Sequence, residues 1–226
     1  TRNGRRCSAA VGYLRPARSR PNLNVLTGAG VLRLCFEGRR AIGVEHAAGG
    51  RAETVRAGRE VIVCAGAIGT PRLLMLSGIG PAPHLREHGI ETIADMPGVG
   101  QNLQDHFGVD IVAELNGHQS LDRYNRPHWM AWAGLEYALF RSGPVTSNVV
   151  EGGAFWHANR QGGNRPDLQL HFLAGAGAEA GVPSVRRGAS GITLNSYTLR
   201  PQARGSVRLR SADPRAFTEK DLAGEI

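Results

Sequence analysis

The sequence is poor in lysine, cysteine and aromatic residues. Of its 226 residues only Lys220 is a lysine, three are cysteines and 6% are aromatic. The cysteines, Cys7, Cys35 and Cys64, are odd in number and lack metal-ligand spacing, which argues against a disulfide framework or a metal centre. No apolar run approaches the ~20 residues that cross a bilayer. We therefore expect a protein without a transmembrane segment, cytoplasmic or membrane-peripheral.

Basic residues outnumber acidic ones, 27 to 19, which gives a formal charge of +8 and a pI near 10.4. Such a charge can indicate a nucleic-acid partner, since clustered cations bind phosphate backbones. The arginines are instead scattered through predicted strands and turns, and no nucleic-acid motif accompanies them. We predict no nucleic-acid partner.

One segment, residues 61–80, predicts a strand, a tight turn and a helix. Val61–Ala65 is a continuous apolar run, which favours a strand buried on both faces of a layered sheet. Gly66 allows a close backbone turn, Thr70 predicts an N-cap, and Pro71 predicts the first helical position. Gly78 predicts the end of the helix. Backbone N–H groups at such a helix start attract anions or polar ligand atoms.

The remaining pattern predicts a mixed α/β (α+β) fold. Strands are expected at residues 24–26, 31–36, 41–46 and 53–57, with a hairpin turn at 38–40. A short helix is expected over 81–89, with Leu85 on its inner face and Gly89 as its C-terminal cap.

After residue 107 the pattern changes. Trp129, Trp132, Leu135 and Leu139 have helical spacing, and Gly143 marks the end of that helix. Period-two alternation then predicts antiparallel strands around residues 168–172, 192–194 and 207–209. We expect the helix to cover this sheet, and we expect a small-residue loop at 174–188. The predicted boundary separates residues 1–107 from residues 108–226.

Several motifs together resemble the glucose–methanol–choline (GMC) family of flavin-dependent alcohol oxidoreductases, including its choline dehydrogenase-like members. The second family signature is matched between Gly66 and Gly80. The matching features are the small-residue turn, the Thr-Pro pair, the paired leucines and Ser-Gly-Ile-Gly. Supporting matches extend to about Pro214, and they comprise Arg5–Ser8, Tyr13–Ala17, Arg20–Thr27, Pro97–His106 and Arg204–Arg210.

The resemblance implies a partial FAD-binding, Rossmann-like domain over residues 1–107 and a partial substrate-binding domain with an antiparallel sheet over residues 108–226. It implies FAD as cofactor and a small-molecule alcohol as substrate. In the family, a His base removes the hydroxyl proton while hydride passes to flavin N5. The electron acceptor, oxygen or another oxidant, stays open.

The family's proteins are more than twice this length. Their N-terminal Gly-x-Gly-x-x-Gly motif and C-terminal catalytic His are both absent here, and residues 217–226 leave the family pattern. We therefore expect an internal fragment that by itself binds FAD weakly or not at all and oxidises no alcohol.

By resemblance, the cofactor-binding residues lie on a predicted strand and around the strand-to-helix turn. The backbone of Val31 is expected to meet the adenine, and the others to surround the cofactor; these are Ala65, Gly66, Ala67, Thr70 and Pro71. From the residues alone, Val31 also fits an ordinary strand position and Gly66 a turn without ligand.

Glu151 lies where the resembling family lines its substrate cavity, and a carboxylate there could bind a cationic or polyhydroxylated alcohol. The alternative is a strand-edge acid paired with an arginine. For Asp105 and His106 we favour a structural role over a catalytic pair, because neighbouring side chains on an extended segment point to opposite faces.

We assign no catalytic residue and no metal site within the chain. His84 and His88 have the i, i+4 spacing of a helical metal pair, but we interpret them as a surface face because no further ligand accompanies them. His157 and His171 alternate with apolar neighbours and fit solvent-facing positions.

The sequence also leaves two other kinds of protein open. One is a non-enzymatic interaction module that retains the substrate-domain sheet, and the other is a decayed gene fragment.

Overall fold

The computed structural model describes residues 1–158, 165–176 and 189–216. The chain forms two compact units, and neither is contiguous in sequence. The meander unit contains Val25–Asp105 with Gln202–Ile226, and the sheet unit contains Thr1–Asn24 with His106–Pro201. Residues 1–24 and 202–226 thus group differently from the two predicted segments. The assignment of those segments to flavin and substrate remains a prediction.

The meander unit is built on three antiparallel strands, β1 (Gly30–Glu37), β2 (Arg40–Ala48) and β3 (Arg51–Arg56). Gly38 has a φ of 59°, as the left-handed turn between β1 and β2 requires. The predicted strands at 31–36, 41–46 and 53–57 are confirmed. The predicted strand at 24–26 is wrong, since those residues pair with no strand.

Two helices and a small parallel pair complete this unit. Helix α2 (Gly66–Leu76) contacts β1 and leads into β4 (Ile79–Gly80), which pairs with β5 (Ala94–Asp95). Helix α3 (Ala82–Glu87) lies between β4 and β5 in sequence.

The core of the meander unit joins both helices to a distant segment of the chain. Met75 of α2, Leu85 of α3 and Leu209 are at most 7% exposed and form one cluster, with Val99 and Val207 packed against it. Leu85 is fully buried, as its helical position predicted. Burial of these side chains fixes the helices against residues 207–209.

The sheet unit contains four antiparallel strands in the order β6-β9-β8-β7. They are β6 (Gly108–Glu114), β7 (Val150–Trp156), β8 (Leu168–Leu173) and β9 (Gly191–Thr198). The predicted strands around 168–172 and 192–194 are therefore confirmed.

Helical segments of the sheet unit precede and connect these strands. A π-helical turn (Ala10–Leu14) continues into α1 (Arg15–Ala17), and 3₁₀ turns occupy Leu121–Asn125 and Pro144–Thr146. The predicted second-half helix is confirmed as α4 (Pro127–Phe140), which ends at a left-handed Arg141.

The apolar run Val61–Ala65 forms no strand, which corrects the prediction. Ile62 is 76% exposed, and none of the five residues pairs with a neighbouring strand. Apolar composition shows that a segment can be buried, but it cannot show which strands pair with it. The predicted strand at 207–209 is also wrong. Val207 makes a single backbone bond to Gly100, and only Gly205 bridges to Leu103.

Helix α2 begins at Gly66, five residues before the predicted Pro71. Ala65 is its N-cap, Gly66 its first residue, and Pro71 lies inside it. The prediction of Thr70 as N-cap and Pro71 as first residue is therefore wrong, because the turn at Gly66 already gives the chain its helical direction. The predicted end is confirmed, since Gly78 follows Ser77 with a φ of 83°.

Two predicted features lie outside the described residues, namely most of the small-residue loop at 174–188 and the tail at 217–226. Of the helices that the structure describes, none combines the length and the apolarity that a bilayer crossing needs.

Candidate functional site

The start of helix α2 is the first part of the candidate site. Gly66 has a φ of 80°, and a Cβ built there would meet no atom within 4 Å. The first four N–H groups of a helix have no partner within the helix, and the helix dipole adds partial positive charge. The space beside Gly66 therefore suits an anionic or polar ligand atom.

A cavity of about 350 Å³ lies against the same helix. Two predicted cofactor residues, Ala67 and Pro71, form one side of it. The rest of the lining is a loop with one residue of a distant segment, namely Gly100, Gln101, Asn102, Leu103, Gln104 and Val207. The cavity thus combines a helix start with a loop.

Pro71 gives the helix side of the cavity an unusual backbone. A residue at this position would normally donate its N–H to the carbonyl of Ala67, four residues earlier, and proline has no N–H. Proline inside a helix costs ~3 kcal/mol or more. The carbonyl of Ala67 therefore lacks its usual helical donor on the helix face that borders the cavity.

The loop side is held by residues 205–207. The N–H of Val207 donates to the carbonyl of Gly100 at 2.7 Å, and Leu103 and Gly205 exchange two backbone bonds of 3.0 and 2.8 Å. Gly100 has a φ of 79°, and a Cβ there would overlap the carbonyl oxygen of Val207. Asn102 also has a positive φ, of 63°, which agrees with its predicted turn position.

The other predicted cofactor residues lie around this cavity or apart from it. Ala65 and Gly66 form the exposed helix start, and Thr70 is partly buried within α2. Val31 lies on β1 opposite His46 and does not line the cavity. The structure therefore brings Ala67 and Pro71 together, and contact of all six residues with a cofactor stays a prediction.

A second cavity, of about 390 Å³, lies between β1 and the end of α2 and includes Leu34, Ser77 and Pro214 in its lining. None of the predicted site residues lines it.

His84 is buried, which corrects its interpretation as a surface residue. It is 6% exposed, and the N–H of Leu209 donates to its Nε2 at 3.0 Å. The other ring nitrogen, Nδ1, lies 3.2 Å from Glu87 Oε2 and 3.1 Å from the guanidinium of Arg208. His84 is a structural link between α3 and the segment at Leu209. In the described part of the chain, no three His, Cys, Asp or Glu side chains are grouped as metal ligands.

Glu151, in the sheet unit, lies at an irregularity of edge strand β7, between Val150 and Gly152. The hydroxyl of Ser147 donates to the Glu151 carboxylate, and Ser147 Oγ accepts the N–H of Val149 at 2.9 Å. Glu151 is exposed and makes no ion pair with any residue that the structure describes.

A polar row crosses the same sheet. Asp110, Asn195 and His171 lie opposite one another on β6, β9 and β8. His171 contacts Gln169 at 2.8 Å between the Nε2 atoms, and its ring lies 5.3 Å from that of Tyr197. His171 is thus not a merely solvent-facing residue.

Asp110 and Asn195 were missed from the sequence. The available signal is the single acid in the otherwise apolar or small segment 108–113. Its partners depend on strand register, which the sequence did not provide.

Comparison with known proteins gives the class of the fold. A formate oxidase from Aspergillus oryzae superposes with a TM-score of 0.85 at 29% identity, covering 94% of this chain and 41% of the other. The pyridoxine 4-oxidase from Mesorbium loti gives 0.73 at 28% identity, covering 99% and 41%. The mixed helical and antiparallel architecture is thus that of FAD-binding oxidoreductases.

Sequence comparison gives the family. Residues 1–108 match the model of the GMC oxidoreductase family. An oxygen-dependent choline dehydrogenase from Brucella ovis is 46% identical over 215 residues, and one from Chromohalobacter salexigens is 41% identical over 220. These alignments cover 94% and 96% of this chain but 38% of each relative. The chain belongs to the GMC oxidoreductase family, and it spans about 38% of the length of these relatives.

Proposed function

We propose that the protein containing this chain is an FAD-dependent oxidoreductase acting on the CH–OH group of a small alcohol. The observation that carries the proposal is the 46% identity to a choline dehydrogenase over 94% of this chain. The relative is a dehydrogenase of choline, which is an alcohol, and the similarity covers 94% of this chain.

The residues at the start of α2 fit a flavin nucleotide. Gly66 leaves open space for close approach, and the first-turn N–H groups offer donors to the oxygens of a pyrophosphate or a flavin ring. Ala67, Pro71 and the loop from Gly100 to Gln104 would enclose the bound group on two sides. When bound, FAD supplies the two-electron acceptor for alcohol oxidation.

The chain's own contribution is positioning. The backbone bonds of residues 205–207 hold the loop side of the cavity, and Met75 and Leu85 hold α2 and α3 beneath it. In the sheet unit, Glu151 offers an exposed carboxylate for a polar or cationic group of the alcohol. Fixing cofactor and substrate groups in this way lowers the entropic part of the barrier.

The test is to express the complete reading frame that contains these 226 residues. We expect FAD to copurify, and we expect an artificial electron acceptor to be reduced in the presence of some members of a panel of primary alcohols. A protein that carries no flavin after reconstitution with FAD, and reduces no acceptor with any alcohol, would contradict the proposal.

A further inference from the structure

A buried histidine of the meander unit holds a segment of the chain that forms no helix or strand. His84 of α3 is 6% exposed, and its Nε2 accepts the N–H of Leu209 at 3.0 Å. Residues 206–209 lie outside the helices and strands, so pairing along a strand does not fix them. Leu209 is 7% exposed and packs with Met75 and Leu85. The end of this segment is therefore held by the core contact and by His84.

The same segment supports the loop side of the cavity beside α2. The N–H of Val207 donates to the carbonyl of Gly100 at 2.7 Å, and Gly205 exchanges two backbone bonds with Leu103. Gly100, Leu103 and Val207 all line that cavity. Because Leu209 is only two residues from Val207, a displacement of Leu209 is transmitted to the cavity lining.

The hydrogen bond from Leu209 requires an unprotonated Nε2 on His84. An imidazole gains a second proton near neutral pH, and both of its ring nitrogens are then donors. A doubly protonated His84 would present an N–H to the N–H of Leu209. Since Leu209 is buried, its N–H would be left without an acceptor, which is unfavourable. The segment would have to move away from α3 for this N–H to find another partner.

Ionisable groups beside the ring come from α3 and from the segment itself. Nδ1 of His84 lies 3.2 Å from Glu87 Oε2 and 3.1 Å from Arg208 Nη2, and the ring of His88 lies 4.9 Å away, edge-on. Glu87 and Arg208 have exposed side chains and are 3.6 Å apart, and an exposed ion pair of this kind contributes little. The buried bond to Nε2 is therefore the stronger polar contact between α3 and the segment.

We infer that His84 is a positioning residue of the flavin site, and that it holds residues 205–209 against the cavity loop only while its Nε2 is unprotonated. FAD affinity then falls as the pH is lowered through the range in which an imidazole gains its second proton. The inference rests on the proposed function and adds a pH-sensitive support to the same site.

The test measures the FAD affinity of the complete protein, after its flavin is removed, by the quenching of flavin fluorescence. The measurements are made at about pH 8 and about pH 5.5, which bracket the range in which imidazole titrates. One proton linked to binding changes Kd by at most about tenfold per pH unit, and we expect a Kd about tenfold higher at the lower pH. His84→Gln keeps an acceptor near the position of Nε2 and does not titrate, so its Kd should change by less than about twofold.

His88→Gln is the matched control, because it removes the neighbouring imidazole at the end of the same helix. It should retain the pH dependence of the unchanged protein. A pH dependence that persists in His84→Gln, or a Kd that is the same at both pH values in the unchanged protein, would overturn the inference and leave FAD binding standing.

If the protein binds FAD at neither pH, the proposed function fails, and the protection of residues 205–209 from amide hydrogen exchange is then compared at the two pH values. A protection factor that falls at the lower pH in the unchanged protein, but not in His84→Gln, supports the pH-sensitive contact. Equal protection factors at both pH values, or an equal fall in the two proteins, would exclude it.

Discussion

At the scale of single residues, burial distinguishes side chains that stabilise the fold from side chains that are open to a ligand. His84 and His88 have the spacing of a metal pair, yet His84 is buried and accepts a backbone hydrogen bond from Leu209. The two residues are 125 apart in sequence. No local pattern reveals such a partner, so the sequence could identify the helix around His84 but not the role of its side chain.

His84→Ala should lower the free energy of unfolding by about 1–3 kcal/mol, because it leaves the buried N–H of Leu209 without an acceptor. Urea unfolding of the 226-residue chain measures the change. His118→Ala is the control, since His118 is exposed, and it should change the free energy by less than about 0.5 kcal/mol. Equal unfolding midpoints for the two variants would show that the His84 bond contributes nothing.

At the scale of elements, turns and periodicities were predictable and pairings were not. Gly38 and Gly78 mark ends of elements because only a small residue adopts their positive φ at low cost. The prediction of a strand at Val61–Ala65 was wrong because a buried strand needs neighbouring strands, which the composition of the segment does not specify. In the candidate site too, the local feature was predictable and the contact between distant segments was not. The start of α2 was predicted as a ligand site, whereas the loop from Gly100 to Gln104 joins it only in three dimensions.

Helix α2 should gain stability when its internal proline is replaced. Pro71→Ala restores an N–H that can donate to the carbonyl of Ala67, and we expect the free energy of unfolding to rise by about 1–3 kcal/mol. Pro83→Ala is the matched control. Pro83 is the second residue of α3, where a missing N–H has no helical acceptor, so the change should stay within about 0.5 kcal/mol. A lower urea midpoint for Pro71→Ala than for the unchanged chain would refute this description of α2.

At the scale of the whole molecule, membership of the family and the position of the flavin site are two separate claims that agree with each other. The 46% identity to a choline dehydrogenase covers 94% of the chain, whereas the cavity beside α2 is where we propose that a flavin contacts this chain. The central claim is that the open space at Gly66 accommodates part of that flavin.

The most direct measurement is the FAD content of the complete protein with and without Gly66→Trp, read from its visible absorption after gel filtration. A large side chain at Gly66 would fill the space beside the helix start, so we predict that most of the flavin is lost. Gly38→Trp controls for backbone strain, because Gly38 also has a positive φ and open surroundings; it should retain FAD. Normal FAD content in Gly66→Trp would contradict the account.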